Sequence, residues 1–339
     1  MRYTRLLAAL LMVGTSGAIA EPPTDQAKLM NAPLSEYRDN IRTGASKDGI
    51  PSIDDPVFQD AEAADAFLDD NDRVIGIYIN GEARAYPQRI LVWHEIVNDT
   101  VAGDPVSVTY CPLTGTGLGF HRNGVEFGVS GKLLNSNLVM YDRETESRWP
   151  QILAAGISGP LAGEGLREFR TVFTEWGRWK ERYPDTRVLS TDTGIMRNYQ
   201  QDPYGNYNPV NGYYAPDSSR MFPVMNDSDR YPPKQEVLGF RGRDHAVAVD
   251  LGTLRDAGVI ERRIDGTRYV IIHDPGLDTG WVYRGDAAID PGAIDFGPEG
   301  PRFDGRNEME PVNAFRAMWF AWAAFYPDTA VIDDATGET

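Results

Sequence analysis

The sequence predicts an α+β fold: two diverged copies of a mainly antiparallel β module with short helices, packed as one pseudo-twofold unit. Three observations lead there. Slid by 163 residues, Val74-Ile75-Gly76 meets Val237-Leu238-Gly239. Without a gap, Ala83, Ala85, Leu91, Gly103, Pro112 and Gly117 then meet Ala246, Ala248, Leu254, Gly266, Pro275 and Gly280. Slid by 143, Trp176, Trp179 and Tyr183-Pro184-Asp185-Thr186 meet Trp319, Trp322 and Tyr326-Pro327-Asp328-Thr329. Between these anchors apolar residues alternate with period two, as half-buried strands require. Ordered blocks that recur with their turn residues mark an internal repeat. The smaller second offset gives the first copy about twenty extra residues around Ser130 to Gln151.

The elements follow in order. Val74 to Ile79 is a strand ending at Asn80-Gly81, a tight-hairpin signal, and Glu82 to Tyr86 returns. Pro87 to Leu91 suits a short helix with proline in its first turn. Val106 to Tyr110 is a strand, and Leu118 to Arg122 with Val125 to Val129 forms a hairpin around Asn123-Gly124. Thr174 is placed to cap a helix whose Trp176, Trp179 and Tyr183 share one buried face. Arg187 to Leu189 closes the copy. Phe315 to Phe325 reads as a buried helix, too short to span a bilayer. The resulting segments are a signal peptide (1–20), a loosely ordered lead-in (21–50), the first repeat (51–190), a Tyr/Asn/Pro-rich connector (191–236), the second, degenerate repeat (237–333) and a tail (334–339).

Arg2 and Arg5, the apolar run Leu6 to Val13 and Ala18-Ile19-Ala20 follow the signal-peptide pattern, with cleavage expected after Ala20. The mature protein is therefore expected to be periplasmic or secreted, without stable membrane insertion. A net charge of −17 argues against nucleic acid as a partner. The carboxylates are scattered rather than in blocks, as on a solvated surface. The single cysteine, Cys111, excludes an internal disulfide, a dithiol redox cycle and a cysteine-rich structural zinc site.

Chemistry-bearing residues concentrate in the first copy. Cys111 ends a strand and precedes a Pro/Gly-rich turn able to present backbone N–H groups to a thiolate or an oxyanion. Its aligned partner is Asp274, which argues for a polar location in both copies. His94 is the nearest candidate base, or a metal ligand beside the thiol. Asn135, Asn137 and Asp142 lie in the extra segment, and two asparagines spaced by two on a strand would face one side. His121 and His245 are expected at the surface. Three readings remain open: a thiol-dependent enzyme on a small molecule with Cys111, His94, Asn135, Asn137 and Asp142 in its site; a protein holding a copper or zinc ion through Cys111 and His94; and a non-catalytic binding module using the aromatic connector.

The blocks Trp93-His94-Glu95-Ile96-Val97-Asn98-Asp99, Tyr110-Cys111-Pro112-Leu113-Thr114-Gly115, Phe127-Gly128-Val129-Ser130-Gly131, Asn135-Ser136-Asn137-Leu138-Val139-Met140-Tyr141-Asp142-Arg143 and Trp149-Pro150-Gln151 resemble the signatures of the bacterial domain-of-unknown-function family 3179. The resemblance runs from about Gly49 to Thr329. In that family a second cysteine often stands where this chain has Thr114, and aspartate where it has His121. The resemblance supports the location of the site and implies no reaction or cofactor.

Overall fold

A computed structural model describes residues 29–122 and 125–335. The expected signal peptide and cleavage site, and the expected turn at Asn123-Gly124, lie outside the described residues. The fold is mixed α+β, mostly antiparallel sheets with few short helices.

The opening hairpin pairs Arg73–Ile79 with Glu82–Pro87. Asn80 and Gly81 both take positive φ (49° and 88°), the mirror-image turn whose twist suits a two-residue hairpin. Val172–Glu175 adds antiparallel on one side, and Arg187–Leu189 adds parallel on the other. Beyond Gln88–His94, a helix starting one residue after Pro87, the strands Ile96–Val101, Asp104–Cys111 and Thr116–His121 form an antiparallel meander. The first half has a further hairpin, Phe127–Leu134 with Asn137–Asp142. Its bulge lies between Val129 and Lys132, where Gly131 accepts the N–H groups of Gly44 and Ala45.

The second half contains strands of like order. Ala314–Met318, Glu236–Arg241 and Ala246–Asp250 run antiparallel, and Ala330–Ile332 joins the last in parallel. Val259–Ile264, Thr267–Asp274 and Thr279–Arg284 form its meander. In each half a tryptophan seals the hairpin. A Cβ on Gly76 would collide with the Trp179 ring, and one on Gly239 with the Trp322 ring. Trp179 donates its indole N–H to Thr186, and Trp322 donates its own to Thr329.

Four expectations need correction. Thr174 does not cap the Trp176–Arg182 helix: Glu175 holds the cap position, and the Thr174 hydroxyl donates to the Leu277 carbonyl. The run Phe315 to Phe325 is not one helix, because Ala314–Met318 is drawn into the sheet and only Trp319–Phe325 is helical. Residues 29–50 are more than a loose lead-in: Leu34–Asp39 is helical, Tyr37 is fully buried, and Arg42–Thr43 pairs with Phe127–Leu134. His121 and His245 are mostly buried: His121 Nδ1 lies 2.9 Å from Asp104, and the His245 ring is edge-on to Tyr269 with its Nδ1 3.0 Å from Asp265. No helix among the described residues is long and apolar enough to cross a membrane.

The connector folds over the junction of the halves as a strap. Its tyrosines interleave with the core: Tyr207 and Tyr214 stack at 4.1 Å, and Tyr207 meets the hydroxyl of Tyr110 at 3.0 Å. At its end the buried Lys234 ammonium donates to the carbonyls of Tyr213 and Ser219 and to the Ser218 hydroxyl.

Candidate functional site

Cys111 is the last residue of its strand and is 1 % exposed. Its sulfur accepts the Leu138 N–H at 3.3 Å, and its S–H points toward the Ser136 carbonyl 3.8 Å away. The turn after it is tied across the molecule: Met318 N–H donates to the Thr114 carbonyl, and the Tyr213 hydroxyl of the strap donates to the Leu113 carbonyl. Below it a closed polar network joins Thr114, Thr116, Asn137, Gln151 and Thr109 through side-chain hydrogen bonds of 2.6 to 3.0 Å. A fully satisfied buried network of this kind fixes one geometry. Burial pushes the thiol up to about 11, with the Glu95 carboxylate adding to the rise. The thiol is therefore protonated at neutral pH.

His94 does not meet the thiol. Its Nδ1–H donates to the Pro51 carbonyl (2.8 Å), since a carbonyl only accepts, which leaves Nε2 to accept the Tyr199 O–H at 2.7 Å. Burial holds its pKa below the ordinary value, so the ring stays neutral in this tautomer. With both nitrogens committed, the expected imidazole activation of Cys111 and the shared copper or zinc ligation are absent from this arrangement. Among the described residues no three His, Cys, Asp or Glu side chains gather as a metal site.

The extra-segment residues also differ from expectation. Asn135 and Ser136, at φ 52° and 62°, form the two-residue turn of the hairpin and are not on a strand. Asparagine tolerates this conformation. The Asn135 amide is satisfied by the Met225 N–H of the strap and the Ala324 carbonyl. Asn137 belongs to the network under Cys111 and accepts the Ile152 N–H, so the two asparagines serve different places. Asp142 caps a turn. Burial alone would raise its pKa, but hydrogen bonds from Trp149 and Thr145 outweigh that and lower it. Arg143 pairs with Asp54 and Glu126 rather than with Asp142. Asp274, the counterpart of Cys111, is fully buried and paired with Arg182 of the other half.

The residue that sequence reasoning passed over is Glu95. It is 6 % exposed and adopts φ 58°. Burial raises its pKa to about 8. Its charge raises the pKa of Cys111 and of Tyr204 of the strap. At the position 163 residues on, the second half has Gly258 at φ 71°. There glycine adopts that backbone freely, whereas in the first half a bulky, ionisable residue is forced into it. An acidic residue aligned with a glycine is the sequence signal that could have found it.

These features define a mixed α+β protein with a buried thiol, a buried acid and an aromatic strap. The chain belongs to the family described as a protein of unknown function, DUF3179, which it matches over residues 47–329. No curated protein and no solved structure matches it.

Proposed function

We propose that this is an exported enzyme, built by duplication, that acts on a small substrate beneath the strap, with Glu95 as proton-transfer group and Cys111 as nucleophile. The carrying observation is Glu95 itself. A non-glycine residue at positive φ costs about 1–3 kcal/mol, and burial of an ionisable carboxyl adds to that. Such expense at one position, with glycine at its counterpart, is the mark of a functional site. A carboxyl with a pKa of about 8 holds both protonation states near neutrality, as an acid–base group must. The Cys111 thiol, resting protonated, needs such a base. As Sγ bonds to an electrophilic carbon, its proton passes to the Glu95 carboxylate, which then returns it to the leaving group.

The duplication reading is supported by the recurrences described above: tryptophan over glycine, its indole on a threonine, and a parallel closing strand in each half. Export is supported by the first twenty residues of the sequence, and sequencing the N-terminus of secreted material, expected at Glu21, tests it.

The catalytic reading is tested by the pH dependence of Cys111 alkylation by iodoacetamide in the native protein and in Glu95→Gln. Removing a carboxylate that raises the thiol pKa should, on electrostatics alone, speed the reaction. Removing a general base should slow it, by about tenfold or more between pH 7 and 9. Slower alkylation is the expected result. Equal or faster alkylation removes Glu95 as the base.

A further inference from the structure

Between the two halves, away from Cys111, lies a cleft of about 390 Å³. One wall comes from residues 167–170 and the other from the second-half meander and the segment before Ala314. Its size falls in the range of small-molecule sites. We propose that this cleft binds a small organic carboxylate with an apolar, ring-sized body.

Charge is the first reason. In a chain of net charge −17 this cleft is lined by cations. Arg241 and Arg284 are neutralised by Glu168 and Glu310. Among the described residues, neither Arg170 nor Arg306 forms an ion pair with a carboxylate. Arg170 gives its terminal N–H groups to the carbonyls of Ala314 and Gly280 and to the Thr279 hydroxyl. Arg306 gives one to the Met309 carbonyl. Against these two cations stands one lining carboxylate without an ion pair, Glu299, on an exposed position. A focused positive field on an acidic protein selects a small anion over a macromolecular one.

Shape and unspent hydrogen bonds are the second and third reasons. The Arg170 guanidinium lies 4.6 Å from the centre of the Trp281 ring, and that of Arg306 lies 4.3 Å from the centre of Tyr283. Gly300 backs the Trp281 ring so closely that a Cβ there would come within 2.7 Å. Held by these contacts, Trp281 and Tyr283 line the cleft together with Val282, Pro311 and Val312 and give it an apolar side. Among the described residues, Arg170 Nε, Trp281 Nε1 and Asn313 Oδ1 of the lining are shielded from solvent and have no hydrogen-bond partner. Two of them are donors, the complement of a carboxylate. Burial also lowers the Arg170 pKa, to about 10, so an anion at this place would relieve an uncompensated charge.

The experiment uses phenylacetate as probe, with phenylacetamide as its neutral isostere and inorganic phosphate as an anion without a ring. The readouts are the Trp281 indole N–H resonance, assigned by its loss in Trp281→Phe, and the melting temperature. Phenylacetate is expected to shift the resonance and raise the melting temperature with concentration, and both controls to bind at least tenfold more weakly. Arg170 holds three backbone and side-chain acceptors, so its removal endangers folding. Arg306→Gln and Asn313→Leu are therefore the test variants, and Arg306→Gln is expected to weaken phenylacetate about tenfold. An unmoved Trp281 resonance, equal binding of either control, or unchanged affinity in Arg306→Gln overturns the proposal.

Discussion

The hydroxyl of Tyr199 donates to Nε2 of His94 across 2.7 Å, and through that bond the strap is fastened to the helix that precedes Glu95. Thr193 in turn meets the Tyr199 oxygen at 2.6 Å. Tyr199→Phe leaves a buried imidazole nitrogen without a partner. A loss of about 1–3 kcal/mol is expected. If the strap governs access, iodoacetamide should reach Cys111 faster in this variant, and mass spectrometry of the alkylated protein measures it.

His94 also carries a pH signature. Its folded pKa lies below the ordinary histidine value, so the unfolded chain binds more protons once the pH drops under about 6.5. Stability contributed by the neutral ring is thus present above that pH and lost below it. His94→Gln should flatten this acid limb in thermal melts from pH 7 to 5. An unchanged limb would place the titration elsewhere.

Glu95 acts with the opposite sign. Its pKa is raised from 4.5 to about 8 by burial, so the folded protein holds the proton more tightly. Its contribution is complete below pH 4.5 and declines as the pH rises toward 8, by up to about 1.4 kcal/mol per pH unit. Glu95→Gln should remove that decline. Glu95→Gly should in addition relieve the backbone, giving a protein more stable than the native one and, on the proposed mechanism, inactive. A destabilised Glu95→Gly would contradict the strain argument.

Gly76→Ala and Gly239→Ala each drive a methyl group into a buried tryptophan. A cost of about 1–3 kcal/mol is expected for each from overpacking, and the two should add, because they sit in separate sheets. Chemical denaturation of the single and double variants reads this directly.

Asp274→Ala strips the partner from Arg182 and also the acceptor of the Gly276 and Leu277 N–H groups. Breaking a buried pair by removing one partner costs about 3–5 kcal/mol. A loss under 1 kcal/mol would mean that the contact between Arg182 and the second half contributes little.

Much of the scaffold could be read from the chain because its signals are local. Asn80-Gly81 specifies a hairpin, and the alternation after Asp104 specifies a strand. The tryptophan pairs report one buried helix face in each half, since Trp179 and Trp322 are both fully buried. The helix expected from Phe315 was lost to tertiary competition, because the edge of Glu236–Arg241 offers a ladder to Ala314–Met318. The site was legible only in part. Cys111 was found as a lone thiol, but its pairing with His94 assumed that nearness in sequence means contact. Pro51 and Tyr199, 43 and 105 residues away, take the ring instead. The role of Glu95 depends on a dihedral angle, which only its glycine counterpart betrays in the sequence.

The turn Asn135-Ser136 touches the strap at Met225 and Phe222 and the last helix at Ala324. Upstream, Tyr213 is pinned to Leu113, and downstream Lys234 grips Tyr213 and Ser218. A protease cutting beside the exposed Met221 would therefore release nothing. Both stubs remain moored, and the nicked chain would travel as one particle on a native gel while separating into two bands in detergent.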